Sequence, residues 1–231
     1  MLQSVPGSAE RGYREELVKL AVQHGADLVG VADLLRLKGI FTFPPDLLTN
    51  WRCGVSIAVS LDKYGSYEDS TEEVYAFPLL TRIATRVRDF IEQEGFKARA
   101  IAADERIEEK PPLRWKGEIS HKAVAKAAGL GWIGKSLLLI TPEFGPRVCL
   151  TTVLTDMPLA TGSPLENACG KCTRCIVACP AKALRERIFE DHPELLEEVL
   201  DVDSCDTHVE NRPTGVDLCF ECALACPKGR R

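Results

Sequence analysis

Apolar residues recur at helical and then at strand periods along the first 160 positions. Residues 8–25 predict a helix, because Leu17, Leu20, Ala21 and His24 share one face and Gly25 supplies a stop. The apolar run 27–32 predicts a buried strand. A loop with Pro44 and Pro45 separates it from 55–61, whose alternation and β-branched residues predict a second strand. The clearest helix is 76–94, where Leu79, Leu80, Ile83, Val87, Phe90 and Ile91 form a stripe that ends at Gly95. Residues 97–103 predict a strand, and the charged stretch 104–118, with Pro111 and Pro112, predicts a loop. Ser120 is placed to cap a short helix through Ala128, which the run GLGWIG at 129–134 breaks. Strands at 136–141 and 147–155 are expected to pair as a hairpin across the turn 142–146.

Such mixing of helices and strands predicts an α/β or α+β core over residues 1–162, of which the resemblance described below implies the α+β form. The segment around 160–164 is the expected boundary with a second domain, 163–231. With 231 residues, 45% of them hydrophobic, the chain is long enough for one or two domains. Its 29 basic and 34 acidic residues give a net charge of −5, so no overall basic excess points to nucleic acid. No apolar run approaches the roughly 18 residues of a membrane span, and the first residues lack the apolar core of a signal peptide. A cytoplasmic protein with no membrane segment is therefore expected.

The cysteines change this ordinary picture. Eight of the ten follow residue 168. In a reducing compartment such a cluster points to metal rather than disulfides. The first motif, CGKCTRCIVACP, places Cys169, Cys172, Cys175 and Cys179 in the C-x2-C-x2-C-x3-C-P run of bacterial ferredoxins. The second combines Cys205 with CFECALACP, which holds Cys219, Cys222 and Cys226. In two-cluster ferredoxins the fourth cysteine of one run serves the other cube. Crossing the motifs in this way assigns Cys169, Cys172, Cys175 and Cys226 to one [4Fe–4S] cluster, and Cys179, Cys205, Cys219 and Cys222 to another. A pair of four-cysteine zinc sites is the competing reading, against which the Cys-Pro endings and the x3 spacing argue. Gly170, Ala178, Ala181 and Ala225 are small enough for close packing around such centres. Cys53 and Cys149 stand apart in apolar surroundings and read as small buried hydrophobes.

The stretch HKAVAKAAGLGWIGKSLLLITPEFG from His121 to Gly145, the segment LTDMPL from Leu154 to Leu159, and Cys205 upstream of the second CxxC resemble epoxyqueuosine reductases. The likeness covers residues 118–228 and continues more weakly at 27–32 and 55–61. It implies a nitroreductase-like corrinoid-binding core followed by a bacterial two-cluster ferredoxin-like domain, as in the related reductive dehalogenases. Electrons from an external low-potential donor would pass through the clusters to a cobalamin. The corrinoid would be faced by Gly129, Gly131, Trp132, Gly134, Lys135 and Ser136. Taken alone, that glycine pattern is equally a tight helix-to-strand turn, and its spacing is not that of a P-loop. Trp132 is a candidate for stacking on a flat cofactor or for the core, and His121 for a cofactor contact or a helix start.

Two departures from the family pattern bear on activity. The family's proton-donating Asp aligns without gaps on Trp115; with a gap, Asp104 is the nearest acid, and Glu118 is a second candidate. Each of the two is alternatively a solvated loop acid. The chain also ends five residues after Cys226, where the family continues into a helical-repeat region that helps hold transfer RNA. Lys110, Arg114, Lys116, Lys122 and Lys126 form either a local basic strip or a solvated face. The expected substrate is accordingly a small molecule or an unknown one, with transfer RNA a less expected alternative. The expected function is that of an iron–sulfur oxidoreductase, with a non-catalytic electron carrier as the alternative. A third reading keeps the fold and uses the clusters structurally.

Overall fold

The computed structural model describes residues 7–63, 73–105, 107, 117–188, 198–211 and 219–229. Contacts divide the chain into two units, each assembled from separate stretches. The first comprises residues 1–59, 77–130 and 149–164; the second comprises 60–76, 131–148 and 165–231. The boundary expected near residue 162 differs from this division at 60–76 and 131–148. In the second of those stretches, Trp132 bonds Cys169 and Arg147 bonds Gly229 in the cysteine-rich part of the chain.

In the first unit, helix α1 (Ser8–Gln23) buries Leu17 and Ala21, and Glu10 folds back to accept the Gly7 N–H at 2.9 Å. Gly25, at φ +110°, turns the chain into strand β1 (Leu28–Asp33). Strand β1 runs antiparallel to β2 (Cys53–Ser60), with Leu28 opposite Ala58 and Asp33 opposite Cys53. All eight residues of β2 are buried, as its place inside the four-stranded sheet β1-β2-β6-β3 requires. Strand β3 (Ala98–Ile101) lies antiparallel to β6 (Val148–Thr155) at the other edge. Helix α2 (Glu73–Gln93) buries the stripe Leu80, Ile83, Val87 and Ile91, and Gly95 follows at φ +85°. Helix α3 (His121–Ala127) is capped by Ser120, whose Oγ accepts the Ala123 N–H at 3.3 Å. Its buried face joins Ala123, Val124 and Ala127 to Leu34, Leu37, Leu47, Ile101, Ile119 and Leu154 in one apolar cluster.

The expected hairpin between 136–141 and 147–155 does not form. Residues Leu139–Ile140 are strand β5, and their partner is β4 (Trp132–Ile133), Trp132 lying opposite Ile140. The chain reverses earlier than expected, around Leu137 at φ +60°. The Gly134 N–H is donated to Leu138 O, and the Leu137 N–H to Gly134 O, both at 2.9 Å. β6 instead enters the four-stranded sheet, buried from Thr151 onward. The GLGWIG run does end α3, with Gly129 at φ +82°, but it then contributes a strand rather than only a break.

The second unit holds three short helices, α4 (Arg174–Ala178), α5 (Val202–Glu210) and α6 (Glu221–Leu224), of which α4 and α6 pack on each other. Among the described residues, no helix is long and apolar enough to cross a membrane.

Candidate metal centre

All eight clustered cysteines are half-buried free thiols within the second unit. Short backbone devices fix their positions. The Cys172 N–H bonds Cys169 O at 3.0 Å across a turn in which Gly170 takes φ +50°, a conformation that a side chain would strain. α4 carries Cys175 and ends at Cys179, whose N–H bonds Ile176 O at 3.3 Å. α6 carries Cys222, and the following Cys226 N–H bonds Ala223 O at 3.1 Å. Cys205 lies on α5, whose first turn is held by Asp201: its carboxylate accepts the Ser204 N–H at 3.0 Å and the Ser204 hydroxyl at 2.9 Å.

The electrostatic neighbours of the thiols fall into two groups of four. Burial pushes the Cys175 thiol up, and Cys169, Cys226 and Cys172 press on it in the same direction. Cys226 is also raised by burial, with Cys169 and Cys172 beside it; a backbone bond from Lys228 and the charge of Arg147 oppose the rise. Burial raises Cys205, next to Cys179 and Cys219. Cys222 is pushed up to about 12, first by burial and then by Cys219, Cys175, Cys179 and Cys205. The first motif is thus joined by Cys226 from the second, and the second by Cys179 from the first. Cys175 and Cys222, on the packed helices α4 and α6, are where the groups meet. Among the described residues, no three His, Cys, Asp or Glu close on one point as ligands of a single metal ion. Eight thiols in two fours match in number and chemistry the ligands of two [4Fe–4S] clusters, each of which needs four deprotonated sulfurs.

Side chains around the thiols complete the centre. Trp132, 5% exposed, donates its Nε1–H to Cys169 Sγ at 3.4 Å. The ammonium of Lys228 stands 6.0 Å from the centre of its ring. Asn167 links the same two regions: its Nδ2 donates to Ile133 O and its Oδ1 accepts the Cys169 N–H, both at 2.9 Å. The buried Arg147 pairs with Asp62 at 2.8 Å and donates to Lys228 O at 3.4 Å and to Gly229 O at 3.0 Å. On the other group, the Ala183 N–H is donated to Cys179 Sγ at 3.4 Å. Neither Asn167 nor Arg147 follows from the cysteine spacing; only their nearness in sequence to Cys169 and to the GLGWIG stretch hints at a role.

The six residues expected to face a corrinoid are packed on the chain itself. A Cβ at Gly129 would lie 2.5 Å from Ser163 O, one at Gly131 would meet Ile140 O, and one at Gly134 would lie 2.7 Å from the Ile140 side chain. Lys135 and Ser136 are buried, and Lys135 Nζ pairs with Glu186 at 3.4 Å. Close backbone approach is therefore the use made of these glycines, and the approaching group is protein.

The candidate acids lie in the first unit. Asp104 is exposed after β3, and Glu118 is ion-paired with Arg99. Glu105, which the sequence pattern did not single out, is raised by burial first and then by Glu118, its hydrogen-bond partner. His121 lies nearby, with Nε2–H donated to Ala102 O at 3.0 Å and Nδ1 accepting from the Thr152 hydroxyl at 2.8 Å. Lys122 and Lys126 are half-buried. Lys110, Arg114, Trp115 and Lys116 lie outside the described residues.

No protein-family model matches the chain. Over 124 residues, 48% of its length, it is 40% identical to the epoxyqueuosine reductase of Gloeobacter violaceus, covering 36% of that protein. It is 28% identical over 164 residues to the epoxyqueuosine reductase of Aliivibrio fischeri, covering 65% of this chain and 38% of that one. The chain thus spans well under half the length of these curated relatives. Among solved structures, a crystal structure of epoxyqueuosine reductase with an epoxyqueuosine-modified transfer RNA stem loop superposes on 94% of this chain and 65% of its own, with TM-score 0.66 and 21% identity. A catabolic reductive dehalogenase in complex with 3-bromo-4-hydroxybenzoic acid superposes on 97% of this chain and 33% of its own, with TM-score 0.74 and 20% identity. The fold is therefore one shared by two kinds of reductase. By sequence the chain is a relative of the epoxyqueuosine reductases.

Proposed function

We propose that the chain is an iron–sulfur oxidoreductase of the epoxyqueuosine-reductase-like class. In this reading Cys169, Cys172, Cys175 and Cys226 hold one [4Fe–4S] cluster, and Cys179, Cys205, Cys219 and Cys222 hold a second. The observation that carries it is the gathering of all eight cysteines, half-buried, in the second unit, with Cys226 beside Cys169 and Cys172 and with Cys179 beside Cys205 and Cys222. When bound, such clusters supply one-electron transfer. The protein's part is to present deprotonated sulfurs, to bury them, and to place N–H donors on Cys169 and Cys179. The first unit corresponds in this reading to a nitroreductase-like core, and the cysteine-rich part of the second to a ferredoxin-like module. The setting is a reducing cytoplasm, with electrons from an external low-potential donor.

The kinship supports a reductive reaction, for which a transfer RNA stem loop like the one held by the solved epoxyqueuosine reductase and a small molecule like the one held by the dehalogenase are both candidate substrates. Cobalamin is the acceptor that the family resemblance implies, with Asp104 and Glu118 as candidate proton donors. The filled spaces beside Gly129, Gly131 and Gly134 favour a second reading, an electron-transfer protein that reduces a partner. Anaerobic reconstitution tests the first claim: about eight iron and eight sulfide per chain are expected, and zinc without sulfide would overturn it. Titrating the reconstituted protein with cobalamin then separates the two readings. Binding with turnover of an organohalide or an epoxyqueuosine-modified stem loop supports the enzyme; no binding at micromolar cobalamin supports the carrier. Full activity in both the Asp104→Asn and Glu118→Gln variants would remove these acids from the reaction.

A further inference from the structure

The surroundings of the two thiol groups differ, and the difference is electrostatic. Hydrogen bonds reach both groups, from the Trp132 indole to Cys169 and from the Lys228 backbone to Cys226 in the first, and from the Ala183 backbone to Cys179 in the second. On the Cys169 side a cation also stands close, the Lys228 ammonium lying 6.0 Å from the centre of the Trp132 ring. Reduction adds one negative charge to a cluster and its thiolates. Donors and cations near the sulfurs stabilise that charge and raise the potential, while a nearby carboxylate lowers it.

Trp132 is held for this task from several sides. Its strand pairs with β5, Trp132 lying opposite Ile140. Asn167 ties the next residue, Ile133, to the backbone of Cys169 through two bonds of 2.9 Å. Gly134 completes the approach: a Cβ there would already lie 3.5 Å from Cys169 Sγ. The indole is thus pressed against this thiol by a clamp that also fixes the cysteine. Buried indole N–H groups find a partner, and here that partner is a sulfur.

Resting on the cluster assignment above, we propose that Trp132 is a positioning residue whose indole N–H, donated to Cys169, raises the potential of the cluster held by Cys169, Cys172, Cys175 and Cys226. That cluster is then the one on which an electron rests. The passage involves no bond making: an external donor loses one electron, and the cluster on the Trp132 side gains it.

The test is a redox titration of the reconstituted protein followed by electron paramagnetic resonance. Wild-type protein should show two separated potentials. Trp132→Phe should lower the higher one by about tenfold in the one-electron equilibrium, about 59 mV, and leave the lower one in place. Replacement of Trp132 by benzothienylalanine, which keeps the bicyclic shape and lacks the N–H, should do the same and controls for misfolding of the Phe variant. Full iron and sulfide content with an unchanged higher potential in the benzothienylalanine protein would overturn the inference and leave the cluster assignment standing. So would a shift confined to the lower potential. Absence of iron and sulfide from the wild-type protein would overturn both.

Discussion

At Gly131 an added methyl group would run into the carbonyl oxygen of Ile140, a backbone atom of the paired strand that cannot step aside. Gly12, within α1, has nothing within 4 Å of the same position. Gly131→Ala should therefore destabilise the protein by about 1–3 kcal/mol through overpacking. Gly12→Ala should stabilise it by about 0.8 kcal/mol, because alanine is the better helix former. Denaturant unfolding of the two variants should move in opposite directions, and equal effects would mean that the Gly131 approach is not tight. His121 allows a sign to be worked out for pH. Burial lowers its pKa from 6.5, so folding favours the neutral ring. Its contribution is present above pH 6.5 and is lost as pH falls through the lowered folded value. Protonation would also reverse the bond with Thr152, whose hydroxyl would have to turn and accept from Nδ1–H. The unfolding midpoint should fall on acidification below about pH 6.5, and His121→Gln should flatten that part of the profile. An imidazole titrating at or above 6.5 by nuclear magnetic resonance would contradict this. At this scale the sequence is legible in kind but not in partner. Glycines at 129, 131 and 134 do signal close approach, but spacing says nothing about whether a cofactor or Ile140 fills the space.

Elements with a long, regular apolar period are the readable ones. The stripe of α2 carries enough positions to identify both the element and its buried face, whereas the alternation of β2 identifies the strand but not the burial of both its faces. Short elements are decided elsewhere. β4 and β5 are two residues each, and their pairing follows from the reversal around Leu137, a leucine at positive φ that no turn preference marks. α3, seven residues long, lies between these cases and depends on its cap. Isolated helices of that length are unstable in water, so the Ser120 bond to Ala123 and the packing of Val124 share the work. Ser120→Ala should cost about 1 kcal/mol. It should also loosen His121, the first residue of the helix, which faster amide exchange at Ala123 and Val124 would reveal. Unchanged exchange there would mean that packing alone holds the helix.

Across the whole chain, apolar burial is uneven. The first unit closes over a continuous cluster from Ala32 to Leu154. In the second, the buried apolar side chains described between residues 165 and 229 are Ala183, Leu184, Val199, Val209 and Ala223, two of them alanines. Among the described residues this is a small apolar set against the chain entropy of ordering that stretch. Under the proposed assignment each cluster ties one motif to the other, since Cys226 joins the first group and Cys179 the second. Binding free energy is then folding free energy for this part of the chain. Removing iron anaerobically should therefore act selectively. Amides that the local bonds protect, those of Cys172, Cys179, Cys205 and Cys226, should exchange far faster in the iron-free protein. Amides of β2 and β6, buried in the four-stranded sheet, should stay protected in both forms. Hydrogen exchange read by mass spectrometry distinguishes the outcomes. Uniform loosening of both units would mean one cooperative body, and equal protection with and without iron would mean that the thiol groups are merely carried by the fold. Selective loss over 165–229 would show that the cysteines, legible in the sequence as chemistry, are also the core of this part of the molecule.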